Sequence, residues 1–493
     1  MGGICFPYRS NITTMRLFIA VILLIVVVVP KALGEMAAPA AASEGAEKDV
    51  ALYDPNPAHI WNRLYDAVLV REDVMGGKYG VDSLDPLLWL ETEHLLAQPS
   101  HRLALRVLDE FLQAHAENQI HDPVKRAILQ RDLWAVFDWS AQPHSYRRPA
   151  YDGQKRELQI RLAEVLRRLA LTAEETKSLP ANYGQGIASG AFAKEYDPGH
   201  RDRAFLPPDL FEPNGPWVLI EGGSYFGPQP VAIGHVMASS GRSRFLVFVR
   251  LPGGRKSTLD YLGTLWNFAQ PWAPSDPPYQ VDLNPALPSF PAGTEVALVR
   301  QMTLFDDHGN LVEAPITESV QIRVYRAITM AGPTPDITSM PALAERSGQD
   351  FYEIRLSRPQ LFANKSGGLR ATAPDEMEFS TFQQQGFDFF EWWLMNRSRP
   401  ASLVSALQEC PVCHSAGGIN SLNSRRNLLK PNELQHDSPG GYGPEFNWWA
   451  SDETRDWKHD RYDWGLLNGY WRAGNGLHTM IRSRRPASFN QHK

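Results

Sequence analysis

Thr294-Glu-Val-Ala-Leu-Val-Arg-Gln-Met-Thr-Leu-Phe305 runs straight into Asp306-Asp-His-Gly-Asn310, and a further apolar run, Ser319 to Ile328, follows. The first stretch is rich in branched apolar residues over a strand's length, and the second is turn chemistry built on Asp, Gly and Asn. Similar short runs lie on either side: Trp217-Val-Leu-Ile220, Arg244 to Arg250 and Phe351 to Leu356, with Pro252-Gly-Gly254 as another turn. Together they predict an antiparallel, sandwich-like β-rich domain over residues 201–370.

Upstream, the period changes from strand to helix. Asn56-Pro57, Asp85-Pro86 and Asp122-Pro123 each place a capping side chain before a proline, whose missing N–H costs nothing in a first turn. Ile60, Leu64 and Ala67 recur at helical spacing, as do Ala127, Trp134 and Phe137. Gln154 to Leu171 carries Leu158, Leu162, Val165 and Leu169 on one face, and Thr172 with Glu175 forms a capping-box pair for the next helix. Residues 51–200 therefore read as a helical bundle. Residues 371–493 read as an irregular module rich in Gly and Pro, holding half of the 14 tryptophans between Trp392 and Trp471. The fold class expected is α+β.

The N-terminus carries an export signal. Arg9 and Arg16 precede an apolar run from Leu17 to Val29, and Ala32-Leu-Gly34 supplies small residues for cleavage before Glu35. Residues 1–34 are expected to be a signal peptide and 35–50 a linker. The run is shorter than the roughly 20 residues that span a bilayer, so inner-membrane anchoring arises only if the leader stays uncleaved. A periplasmic or otherwise extracytoplasmic location follows. A net charge of -6 without a basic cluster excludes nucleic acid as a main partner.

Of the three cysteines, Cys5 lies in the leader, so the mature chain keeps only Cys410 and Cys413. They stand in Cys410-Pro-Val-Cys413-His414. Two thiols separated by two residues suit thioether bonds to the vinyl groups of a haem, and the adjacent histidine suits the iron. The pentapeptide, with Pro400 to Glu409 before it reading as a short helix bearing Leu403, Ala406 and Leu407, resembles the bacterial c-type cytochromes. The resemblance covers the motif and about ten flanking residues. It implies covalent haem c on Cys410 and Cys413, with His414 as proximal iron ligand. It also implies a downstream second ligand, for which Met480 lies at a suitable distance and His436, His459 and His478 compete; an open distal side is the remaining option.

Other readings of the two cysteines are a disulfide, a glutaredoxin-like redox pair, or a zinc site. The function expected is that of an exported haem c protein for electron transfer or redox sensing, with a redox partner protein. The alternative is a non-haem envelope or surface binding protein, with a structural disulfide and an aromatic surface for carbohydrate or protein. The tryptophans near the C-terminus serve either that surface or a core. The charged residues from Asp452 to Asp463 read as a solvated, salt-bridged loop, and His235 and His308 as single structural histidines. Nucleophile-elbow, Walker, dinucleotide-binding and His-Glu-x-x-His patterns are absent from the sequence.

Overall fold

The computed structural model describes residues 51–473, apart from 74–75, 83, 91, 143–150, 225–230, 276–279, 329–347, 380–387, 389, 392–402, 406, 408–413, 415–416, 423–426 and 432–448. The expected leader and linker lie outside the described residues, as do Cys410, Cys413, His436, His478 and Met480.

Four long helices open the described chain: α1 Ile60–Leu69, α2 Gln98–Gln113, α3 Pro123–Ala141 and α4 Asp152–Leu169. Every residue of α3 from Ala127 to Ala141 is buried. A helix with no solvated stripe must be enclosed on all sides. Its neighbours α1, α2 and α4 share one core with it, through Trp61, Leu64, Phe111, Leu133, Trp134, Leu162 and Leu166.

Asp122 caps α3 as its sequence predicts, Oδ1 accepting from the amides of Val124 and Lys125, with Pro123 in the first turn. The other two Asx-Pro pairs do not cap helices. Asn56 Oδ1 accepts from Ala58 N in a turn, and α1 begins only at Ile60, behind His59. Asp85 faces three arginines instead, a tertiary demand that local sequence does not reveal. The Thr172–Glu175 capping box forms and starts α5, Ala173–Lys177, which is followed by α6, Asn182–Ala188.

Seven strands, numbered in chain order, make the large sheet: β1 Val218–Ser224, β2 Ser243–Arg250, β3 Thr294–Phe305, β4 Leu311–Tyr325, β5 Gln349–Leu356, β6 Leu369–Ala371 and β7 Asn427–Pro431. Their spatial order is β6-β5-β4-β3-β2-β1-β7, antiparallel throughout. The first six are thus a meander, and β7 returns late in the chain to pair with β1. β4 begins earlier than its expected start at Ser319, directly after the Asp306–Asn310 turn. Pro315 breaks the strand pattern there, and the two β3–β4 register shifts, at Arg300/Gln301 and Gln301/Thr303, absorb it.

Short helices link these strands: α7 Ile233–Ala238 between β1 and β2, and α8 Gly254–Trp266 between β2 and β3. Pro252-Gly-Gly254 therefore leads into a helix rather than making a strand-to-strand turn. α9, Arg358–Phe362, follows β5. One sheet face, with Phe248, Ala297, Ile322 and Tyr352, packs on Ala127 and Ile128 of α3, Tyr183 of α6 and the loop residues Phe205 and Leu206. The other face, with Val218, Val249 and Val296, lies under Leu262 and Leu265 of α8, with Leu287, Phe290 and Ile419. The layer on each face is helical.

Within the Trp-rich segment, three further helices are described: α10 Ile419–Leu422, α11 Trp449–His459 and α12 Tyr462–Arg472. Trp464 is 3% exposed and packs 5.8 Å from Trp134, and Trp471 lies 4.8 Å from Phe305. These two rings belong to the core of the N-terminal helices. Residues 46–493 accordingly group as one compact unit.

Candidate functional site

The register of β4 with β5 sets Gln349 opposite Tyr325, two residues along from Arg323 on the same sheet face. The chain that follows the Cys-x-x-Cys-His motif docks here. Gly418 turns it with φ +55, and a Cβ at that position would fall 2.0 Å from Ser289 Oγ, so the close approach requires glycine. In α10, Ser421 Oγ lies 2.5 Å from Tyr325 OH, and Arg323 Nη1 donates to Ser421 O at 3.3 Å. Gln349 Nε2 donates to His414 O at 2.9 Å. Arg323 and Gln349 thus hold backbone carbonyls of Ser421 and His414, and Tyr325 holds the Ser421 hydroxyl.

His414 Nδ1 lies 2.6 Å from Ser421 O. A carbonyl only accepts, so Nδ1 carries the proton and the ring lone pair resides on Nε2. Burial first, then the charges of Arg323 and His235, push the imidazole's pKa down to about 3, against the opposing pull of the Ser421 carbonyl. A neutral ring with a pinned tautomer is the state a metal demands of a histidine ligand.

The neighbouring imidazole is His235, from α7. Its ring centroid is 6.2 Å from that of His414, and the two planes differ by 7°. His235 also meets Phe245 of β2, ring centroids 5.5 Å apart. No protein-family model, curated protein or solved structure matches this chain.

The other expected site residues fall differently. In the segment before the motif, Leu403–Ser405 is a strand, paired antiparallel with Met377–Phe379, and Leu407 lies in 3-10 helix. Branched Val404 suits a strand, and the edge at Met377–Phe379 supplies partners that an isolated short helix lacks. That pair stands apart from the large sheet, so it does not supply the buried central strand of a glutaredoxin-like site. His459 ends α11, its ring 5.7 Å from Trp464. His308 sits in the β3–β4 turn, where Nδ1 meets Asp307 Oδ1 at 2.8 Å. His235, which sequence reasoning treated as structural, is the histidine brought to His414. Nothing local marks it, because the two lie far apart in the chain and meet only through the fold.

Three further polar clusters have structural explanations. Asp306, Asp307 and His308 lie close together, but Asp306 accepts from the amides of His308 and Asn310 and so serves its own turn. Nearby, Asn310, Leu311, Arg455, Asp456 and His459 line a shallow cleft of about 390 Å³. Between α3 and the sheet, Arg131, Arg242, Arg300 and Lys458 interlock with Asp85, Glu318, Asp138 and Asp463. Four cations thus face four carboxylates. The run Asp452–Asp463, expected to be a solvated loop, contributes Lys458 and Asp463 to it from α11 and α12. At the third cluster, Arg71 grips Asp388 through two bonds of 2.9 and 3.1 Å, and Glu391 accepts from the amides of Glu93 and His94. These bonds tie residues 388–391 to the loop before α2.

Proposed function

We propose that the chain is an exported c-type haem protein for electron transfer or redox sensing, with haem c joined to Cys410 and Cys413 and its iron held by His414. The observation that carries this reading is the hydrogen bond between His414 Nδ1 and Ser421 O. It fixes the tautomer, aims the lone pair through Nε2 and steadies the ring, as an outer-shell carbonyl does for a metal-bound histidine. Burial keeps the ring unprotonated, so no proton competes with the metal near neutral pH.

A bound haem would supply one-electron exchange at its iron. The chain's contribution would be to hold and tune it. Arg323 places a cation beside the proximal histidine, and Tyr325, Gln349 and Ser421 anchor the segment that bears it. The leader read from residues 1–34 supports this, since haem c is attached outside the cytoplasm. The partner implied is a redox protein that exchanges single electrons. The inward packing of Trp464 and Trp471 removes two rings from any aromatic binding surface.

The test is direct. The mature chain, produced with haem-maturation machinery, should carry one covalent haem by mass and give the pyridine haemochrome spectrum of a double thioether. Cys410→Ser/Cys413→Ser should lose both signals. An apo mass for the wild-type chain under those conditions would overturn the reading.

A further inference from the structure

We propose that His235 is the second axial ligand of the iron held by His414. This inference rests on the haem reading above and names a ligand that the sequence alone did not suggest.

Two imidazoles on opposite sides of one metal have a definite spacing. Metal–nitrogen bonds of about 2 Å on both sides, plus the reach from each nitrogen to its own ring centre, bring the centroids to about 6 Å. His235 and His414 stand 6.2 Å apart with planes within 7° of parallel. A pair of rings gripping one iron end-on has that separation and is free to adopt that parallel setting.

The two rings are held by different parts of the fold, so neither depends on the other for its position. α7 is seated by Ile233 and Val236, which pack on Phe245, Leu298 and Trp457. Its C-terminus is closed by Gly241 N donating to Val236 O at 2.9 Å. Its entry is constrained as well: Ala232 adopts φ +56 and ψ +37, a left-handed conformation that costs an alanine on the order of 1 kcal/mol. His414 is held from the β4–β5 side, through Ser421 and Gln349. Both anchorages stand on one sheet face, β2 carrying Phe245 and β4 carrying Arg323 and Tyr325. The sheet therefore sets the distance between the rings before any metal arrives, the arrangement that lowers the ordering cost of binding.

The identity of the second ligand is read from spin state and is separable from haem attachment. The wild-type holoprotein should be six-coordinate and low-spin in both oxidation states by absorption and electron paramagnetic resonance. His235→Ala should retain covalent haem by mass but lose the low-spin signature, and added imidazole should restore it. His235→Met, which keeps bulk at the site should the alanine variant fold poorly, should replace the histidine signature with a thioether-to-iron charge-transfer band. Covalent haem with a low-spin spectrum unchanged in either variant would overturn His235 as ligand while leaving the haem reading intact. Wild-type protein with no covalent haem would overturn the underlying reading itself.

Discussion

Arg358, at the start of α9, reaches Asp132 in the middle of α3: Nε donates to Oδ2 at 2.9 Å, a second nitrogen bonds Oδ1, and both side chains are fully buried. The same guanidinium lies 5.2 Å over the Tyr65 ring. One buried ion pair thus joins the chain leaving the sheet to the helical half. Removing one partner strands a charge in a fully buried site. Arg358→Ala should therefore cost about 3–5 kcal/mol in urea unfolding, while Arg358→Met/Asp132→Leu should recover much of it. A single-variant loss below about 1 kcal/mol would contradict this account.

Asp85 should make stability depend on acid. Burial alone would lift its carboxyl, but Arg300, Arg131 and Arg242 hold it well below the usual carboxylate range. A depressed folded-state pKa means the stabilisation is complete above the unfolded value of about 4 and is lost progressively as pH falls below it. Asp85→Asn should lower stability at neutral pH and flatten the acid limb of the stability profile. Parallel profiles for variant and wild type would assign the acid sensitivity to other groups.

The capping box offers a smaller, local test. Glu175 N donates to Thr172 Oγ1 at 3.1 Å and Thr172 N to Glu175 Oε2 at 2.8 Å. Thr172→Ala should cost about 1 kcal/mol, and Thr172→Ser should restore nearly all of it. Thermal melts of the three proteins at neutral pH would show whether the box or the threonine methyl matters.

On the haem reading proposed above, Arg323 should tune the iron's potential. A fixed cation beside the proximal ligand favours the less positive, reduced iron. Arg323→Gln should shift the midpoint potential to a lower value with covalent haem still present. An unchanged potential in a spectroelectrochemical titration would show that solvent screens this charge.

Local pattern carried much of the fold into view. β3 spans Thr294–Phe305 as read, α4 presents Leu158, Leu162, Val165 and Leu169 inward, and the Thr172–Glu175 box forms, because each depends on residues within a few positions. The first half of β4 was hidden by Pro315, whose cost is met by an irregular register that only the partner strand reveals. Leu403–Ser405 was misread as helical because its strand partner lies at Met377–Phe379, outside any local window. At the candidate site, the motif draws attention to His414, whereas its approach to His235 becomes visible only once distant segments meet. Asp85 shows the same limit in another form: an Asp-Pro pair looks like a cap until three arginines claim the carboxylate.

The late return of β7 has a consequence for how the protein matures. At the far rim of the sheet, β6 is three residues long and offers little purchase. The near rim is different, because among the described strands Glu221 to Ser224 pair with β7 alone, which the ribosome delivers late. A chain in which β7 has not yet docked would leave those amides open to a strand from another copy. Sealing this margin falls to a late stretch of polypeptide, so truncating the chain before Asn427 should surface first as aggregation.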